Sequence, residues 1–164
     1  MKKVVLSLGS NLLERDFFLL KATELINCKV GKIIEKSSIT ETESWGFDSS
    51  PFLNQVLIVE TNHTPEEVLE ITQGIERELG RAEKSGHDEQ GNPIYHDRTI
   101  DIDILLFEDE IRNSSALTIP HPLLTQRLFI LKLLIELFED QVVPPYTKTF
   151  KQLANSITQR GNEI

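Results

Sequence analysis

Two strand-like segments follow one another with no helix between them, and this limits the fold more than any other feature. Residues 52–61, FLNQVLIVET, are rich in apolar and β-branched residues. In an extended chain Phe52, Asn54, Val56, Ile58 and Glu60 share one side, and Leu53, Gln55, Leu57, Val59 and Thr61 the other. Residues 30–42, VGKIIEKSSITET, read as the strand before it. Doubly wound α/β folds need a helix between successive strands, and the chain has no Gly-x-Gly-x-x-Gly run. Both features argue against the flavodoxin-like and Rossmann folds.

The remaining segments complete an order. Residues 3–8 read as a first strand, closed by Gly9-Ser10-Asn11. Residues 12–27 suit an amphipathic helix with Ser10 or Asn11 as its cap, and Leu13, Phe17, Leu20 and Leu25 as its apolar stripe. A second helix opens at Thr64 with Pro65 in its first position and Glu67 completing a capping box. Its stripe is Val68, Ile71, Ile75 and Leu79, and Gly80 stops it. Residues 81–99 have no periodicity and read as a long loop or a hairpin with a mobile tip; long loops in compact domains are often functional. The strand TIDIDILLF follows at 99–107, then a turn, a short strand piece and a loop. A helix is expected over about 124–138, and a short terminal helix after Pro144-Pro145. Strand-helix-strand-strand-helix-strand is the split βαββαβ plan, so the expectation is a ferredoxin-like α+β domain, its mostly antiparallel sheet covered by helices, spanning 1–164 as one unit.

Charge and cysteine use narrow the function. The net charge of -9 argues against a general nucleic-acid grip, which needs a basic surface. It leaves room for a nucleotide held by a local basic cluster. A single cysteine, Cys28, excludes an internal disulfide and makes a thiolate zinc site untenable; it reads as a small residue near a helix end. The N-terminus turns polar at Ser7, too early for a signal sequence, and no apolar run reaches membrane-spanning length. A cytoplasmic protein is expected, with no nucleic-acid or membrane partner.

The strand at 99–107 carries the chemistry. Asp101 and Asp103 point to one face, their roots about 6–7 Å apart, while Ile100, Ile102 and Ile104 point to the core. Like charges held so close repel unless a cation intervenes. Magnesium, which takes hard oxygen ligands and works beside phosphates, is the natural one. The plain alternative is a solvated strand face, but Asp is a poor strand former. Arg81, Lys84, Arg98, His121 and Arg127 lie in flanking segments, and arginine forks match phosphate oxygens. Each alone would read as a surface ion pair. Together with the aspartates they suggest phosphoryl transfer, where positioning and electrostatics dominate. No P-loop or protein-kinase motif is present.

LSLGSN at 6–11, TETESWG at 40–46, PFLNQV at 51–56, QGIERELGR at 73–81, DRTIDIDILLF at 97–107 and IPHPLLTQRLFIL at 119–131 together resemble the 6-hydroxymethyl-7,8-dihydropterin pyrophosphokinases of folate biosynthesis, over nearly the whole chain. The resemblance implies a ferredoxin-like fold. It implies transfer of pyrophosphate from ATP, the co-substrate, to the pterin's hydroxymethyl oxygen, with AMP as second product. It implies two magnesium ions on Asp101 and Asp103, and Arg81 and Arg98 as loop cations for the phosphates, Arg98 nearest the transferred group. Gln73, Glu76, Tyr95, Ile100, His121 and Arg127 map to the ATP side. For the pterin it implies a sandwich of Phe52 and Phe129, with Asn54 and the segment Thr42, Glu43, Ser44, Trp45 and Gly46 reading the ring edge beside Asp101. Aromatic faces and a few polar groups suit a flat heterocycle. The chain departs from the family in places. Tyr95 stands where the best-known members carry Trp, Pro122 replaces a Tyr, and Ala116 replaces an Arg whose charge Arg112 or Lys84 could supply. The loop at about 81–98 is longer than in compact members. A monomer, or at most a weak dimer, is expected.

Three other readings compete. Another magnesium-dependent phosphotransferase or phosphohydrolase acting on a small heterocycle would share the aspartates but has no need of the aromatic pair and Asn54. A ferredoxin-like RNA-binding module conflicts with the acidic balance. A catalytically dead relative would not need both aspartates, Arg81, Arg98 and His121.

Overall fold

A nine-residue strand, β1 (Lys2–Ser10), lies inside the sheet because it is apolar or small on both sides: every residue from Val4 to Ser10 is buried. The computed structural model describes residues 1–11, 14–42, 51–80 and 100–162. On one flank β1 pairs antiparallel with β4 (Phe52–Thr61), from Lys2 opposite Thr61 to Ser10 opposite Leu53. On the other it pairs antiparallel with β5 (Asp101–Phe107). Two short strands, β2 (Lys32–Lys36) and β3 (Thr40–Thr42), both pair with β4. The five-stranded sheet runs β2-β4-β1-β5, with β3 joined to β4. Among the described residues every strand pairing is antiparallel, so the fold is α+β.

Alternation sorts the side chains into two layers. Val4, Leu6 and Leu8 of β1, Leu57 and Val59 of β4, and Ile102 and Ile104 of β5 pack with Ile26 of α1 (Arg15–Lys29) and Val68 and Ile75 of α2 (Pro65–Glu78). The opposite parity, Val5, Val56, Ile58 and Leu106, packs under α3 (Leu128–Phe138) and α4 (Phe150–Asn162). A β-bulge where Leu6 faces Ile104 and Val5 faces Leu106 inserts Leu105. It puts Leu105 and Leu106 into one layer and returns Phe107 to the other.

The expected order stands, with shifted details. The first strand runs past Gly9 to Ser10. The helix expected over 12–27 is Arg15–Lys29, with Glu14 at its cap position and no capping side chain. Ser10 and Asn11 are fully buried at the strand end and so do not serve as its cap. The buried face overlaps the expected stripe only in part: Leu25 packs half-buried against the core, and Leu13 lies outside the described residues. Leu19, Ala22, Thr23 and Ile26 are buried, while Phe17 and Leu20 of the expected stripe are 49% and 60% exposed.

The strand expected over 30–42 divides at Ser37 and Ser38. Ser37 keeps both main-chain groups of Val56 occupied, donating its N–H to the carbonyl and offering Oγ to the N–H, each at 2.9 Å. Ser38 is held by Glu136 of α3 through N–H and hydroxyl. The second helix has the anticipated capping box on Thr64 and Glu67, Pro65 at its start, and Gly80 at φ 100° beyond its end. The helix expected over 124–138 is a 3-10 turn, Leu124–Gln126, then Arg127 extended at φ -110° and ψ 105°, then α3. Between β5 and that turn, β6 (Arg112–Asn113) and β7 (Thr118–Ile119) pair as a small hairpin.

Gly31 joins α1 to β2 where backbones nearly touch. A Cβ there would lie 1.9 Å from the Glu60 carbonyl oxygen. Main chain in a central ladder cannot step aside, so overpacking here should cost at least about 2–3 kcal/mol. Chemical denaturation of Gly31→Ala is expected to show that loss; unchanged stability would contradict the close approach.

Candidate active site

The polar end of the α3-facing layer collects the candidate site side chains that lie among the described residues. Alternation gives β5 two half-buried aspartates there, Asp101 and Asp103, while Ile102 between them enters the opposite core. Register extends the arrangement across the sheet, because residues directly opposite point to the same face. Asp103 lies opposite Ser7, and Ser7 opposite Val56. Asp101 lies opposite Gly9, and Gly9 opposite Asn54. Phe52 falls on the same face of β4, half-buried, within 3.5 Å of where a Gly9 side chain would begin.

Among the described residues β5 has a strand on one side only, so main-chain groups on its other side need other partners. The Ile102 N–H donates to Glu76 Oε2 at 2.9 Å, and Glu76 is 4% exposed. This carboxylate from α2 pins the main chain between the two aspartates. Glu76, expected beside the nucleotide, therefore has a main-chain positioning task. Ile100, also expected there, is fully buried in the opposite apolar layer, so its side chain supports the strand and does not face a solvated ligand. Gln73 stands exposed on α2 one turn before Glu76.

His121 and Arg127 flank the 3-10 turn. The His121 N–H donates to the Leu105 carbonyl at 2.9 Å, tying this loop to β5. Its Nδ1 accepts from the Leu123 N–H at 3.1 Å. That bond places the neutral ring's proton on Nε2, which is left to donate elsewhere. Burial holds the imidazole below its ordinary pKa; the Arg127 charge pushes the same way and Asp101 opposes. His121, Arg127 and Asp101 thus sit within electrostatic reach of one another.

At the other end of the row, Asn54 is 6% exposed and its Nδ2 donates to Thr42 Oγ1 at 2.8 Å. Its Oδ1 lies 3.3 Å from the position a Gly9 Cβ would take. Thr42 therefore orients an amide whose oxygen is presented toward Gly9. Phe129, on α3, is half-buried against the apolar layer that contains Val56 and Leu106.

One contributor had no sequence signal. Arg15, at the start of α1, donates to the Pro51 carbonyl and to Glu41, both at 2.7 Å. It grips the chain just before β4 and within β3, the two strands that carry Phe52, Asn54 and Thr42. A lone Arg at a helix start, 26 residues from its acid, carries no pattern that would reveal this. Arg81, Lys84, Tyr95 and Arg98, and Glu43, Ser44, Trp45 and Gly46, lie outside the described residues.

The donor set suits magnesium. Among the described residues no group of three or more His, Cys, Asp and Glu side chains forms a metal cage. Magnesium commonly takes one or two carboxylates and completes its shell with water and substrate phosphates, which a half-buried aspartate pair permits. No helix among the described residues is long and apolar enough to cross a membrane.

Relatives give the arrangement a lineage. The model of the 7,8-dihydro-6-hydroxymethylpterin-pyrophosphokinase family matches residues 5–139. The chain belongs to this family. A 2-amino-4-hydroxy-6-hydroxymethyldihydropteridine pyrophosphokinase of Porphyromonas gingivalis is 46% identical over 129 residues, covering 77% of this chain and 84% of the relative. Its counterpart in Aquifex aeolicus is 36% identical over 153 residues, 93% of this chain and 90% of the relative. Among solved structures, Plasmodium falciparum HPPK-DHPS, wild type with pterin and p-hydroxybenzoate, superposes with a TM-score of 0.73 at 19% identity. That match covers 99% of this chain and 44% of the longer one, and at such identity it speaks to the fold alone.

The His121 geometry predicts a pH dependence. A group whose folded pKa is depressed stabilises the fold above its unfolded value and loses that contribution as pH falls through the folded value. His121 should thus contribute fully above pH 6.5 and progressively less below it. Asn at this position can still accept from Leu123 and does not titrate. Melting temperatures measured against pH should fall less steeply below 6.5 for His121→Asn than for the wild type; parallel profiles would remove His121 from the acid response.

Proposed function

We propose that this chain transfers pyrophosphate from ATP to the hydroxymethyl oxygen of 6-hydroxymethyl-7,8-dihydropterin, releasing AMP and the pterin diphosphate, as a step in folate biosynthesis. The observation that carries the reading is the single row Asn54–Gly9–Asp101 across the sheet in a member of this family. It sets an amide and a carboxylate on one face with a bare backbone between, which supports ring reading at one end and metal binding at the other.

Each residue then has a physical task. Phe52 and Phe129 hold the flat ring, where aromatic stacking adds to apolar burial. Asn54 Oδ1, aimed by Thr42, accepts from an N–H on the ring edge. Asp101 and Asp103 hold two magnesium ions. Bound there, magnesium supplies neutralisation of the phosphates and a lowered pKa for the substrate hydroxyl. His121 donates through Nε2 to a phosphate oxygen, and Arg127 adds charge beside it. Arg81 and Arg98 serve as further phosphate cations, with Tyr95 on the nucleotide side. In the reaction the hydroxymethyl oxygen forms a bond to the β-phosphorus while the bond from that phosphorus to the α–β bridging oxygen breaks. The hydroxyl proton is released, and AMP leaves with the bridging oxygen. Alignment and electrostatic stabilisation provide most of the acceleration.

The same reading treats the sheet as ferredoxin-like. The order β2-β4-β1-β5 and its antiparallel pairs support this if β2 and β3 together count as the second strand of a βαββαβ unit. Two helical layers on one sheet favour a single catalytic unit. A cytoplasmic setting fits the exposed thiol of Cys28, which a reducing compartment preserves.

The test is a nucleotide assay with ATP, magnesium and 6-hydroxymethyl-7,8-dihydropterin. AMP should form, and only when the pterin is present; ADP or free phosphate would instead indicate a phosphotransferase or hydrolase of another kind. Asp101→Ala and Asp103→Ala should each lose at least about 100-fold in kcat while staying folded. Near-normal turnover in either would sink the carboxylate assignment.

A further inference from the structure

Gly9 is a costly residue for its position. It lies near the end of the buried central strand, where Gly is less stable than Ala by about 0.5–1 kcal/mol. Its φ is not in the left-handed region, so no backbone requirement for glycine explains it. What distinguishes the site is its surroundings. Gly9 pairs with Asn54 on one side and Asp101 on the other, so its missing side chain would stand between them on the shared face. A Cβ there would come within 3.3 Å of Asn54 Oδ1 and 3.5 Å of the Phe52 ring. The first contact is tighter than side chains normally accept. The amide cannot simply swing aside, because its nitrogen is bonded to Thr42 Oγ1 at 2.8 Å. The Asp101 side of the row meets no such crowding: none of the nearest atoms to that Cβ belongs to β5.

We propose that Gly9 is a positioning residue for the pterin, the floor over which the ring edge and its hydroxymethyl arm run from Asn54 to Asp101. The proposal rests on the pyrophosphokinase reading. The bare Cα keeps the floor low and leaves Asn54 Oδ1 where a ring N–H can reach it. A side chain at this position raises the floor on the heterocycle's side and leaves the ATP side untouched. Gly9 thereby sets how deep a flat bicyclic substrate sits relative to the aspartates.

Gly9→Ala separates this role from a structural one. A methyl group intruding into a fitted pocket should raise KM for the pterin by about tenfold or more, with KM for ATP changing by less than about threefold. Melting temperature should change little, the better strand propensity of Ala offsetting the tight contact with Asn54 Oδ1. A pterin KM near the wild-type value, or equal rises for both substrates, would overturn the proposal. A wild-type measurement covers the case in which the variant does not fold. By NMR, the Gly9 Hα resonances should shift when the pterin is added to protein already saturated with magnesium and a non-hydrolysable ATP analogue. Unmoved Gly9 resonances beside a shifted Asn54 side-chain amide would also overturn it. Absence of AMP formation by the wild type would count against the pyrophosphokinase reading itself; wild-type turnover with an unaffected Gly9→Ala would count against the floor alone.

Discussion

The hydrogen-bond register of the central strand β1 is the constraint on which everything else depends. It is paired on both edges, so its alignment with β4 and β5 sets which residues of three strands share a row. A slip of one residue would turn Asp101 and Asp103 into the core and bring Ile102 to the site face. Burial on both faces makes such a slip costly: two apolar layers would have to exchange places with polar groups. The precision of the site is therefore borrowed from the packing of two cores.

Among the described residues β5 has a strand on one side only, a placement that suits the metal-binding role proposed for its aspartates. A central strand would be covered on both flanks and would leave little solvent for a hydrated cation. An edge strand admits water and phosphate, but it leaves main-chain donors without a ladder partner. Glu76 resolves this at Ile102 with a carboxylate from α2. The strand is thus held between the two aspartates, and α2 is coupled to this end of β5 although it packs against the other face of the sheet.

The opposite end of the row is built by short strands instead of long ones. Ser37 and Ser38 divide the second strand segment, with Ser37 substituting its hydroxyl for a main-chain acceptor. The interruption brings Thr42 alongside Phe52 and within reach of Asn54. Arg15 then secures β3 and the approach to β4 from the neighbouring helix. Asn54 is oriented by contacts from segments 12 and 14 residues away, which no local pattern contains.

By itself the sequence determined the features governed by local physics. Period-2 alternation located β4 and the inward isoleucines of β5, and the Thr64, Pro65 and Glu67 cap marked the start of α2 because capping involves only neighbouring residues. Adjacent strands without an intervening helix settled the α+β class, and the quoted motifs settled the family. Tertiary structure decided what depends on contacts between distant segments. It decided which face of α1 turns inward, burying Leu19, Ala22, Thr23 and Ile26 against the sheet and leaving Phe17 and Leu20 exposed. It broke the helix at Arg127, where apolar periodicity runs on unbroken. It gave Glu76 a main-chain partner, enclosed Ile100, and set Gly9 between Asn54 and Asp101. Register across a sheet joins residues that are dozens of positions apart, and periodicity along a chain cannot express which of them will meet.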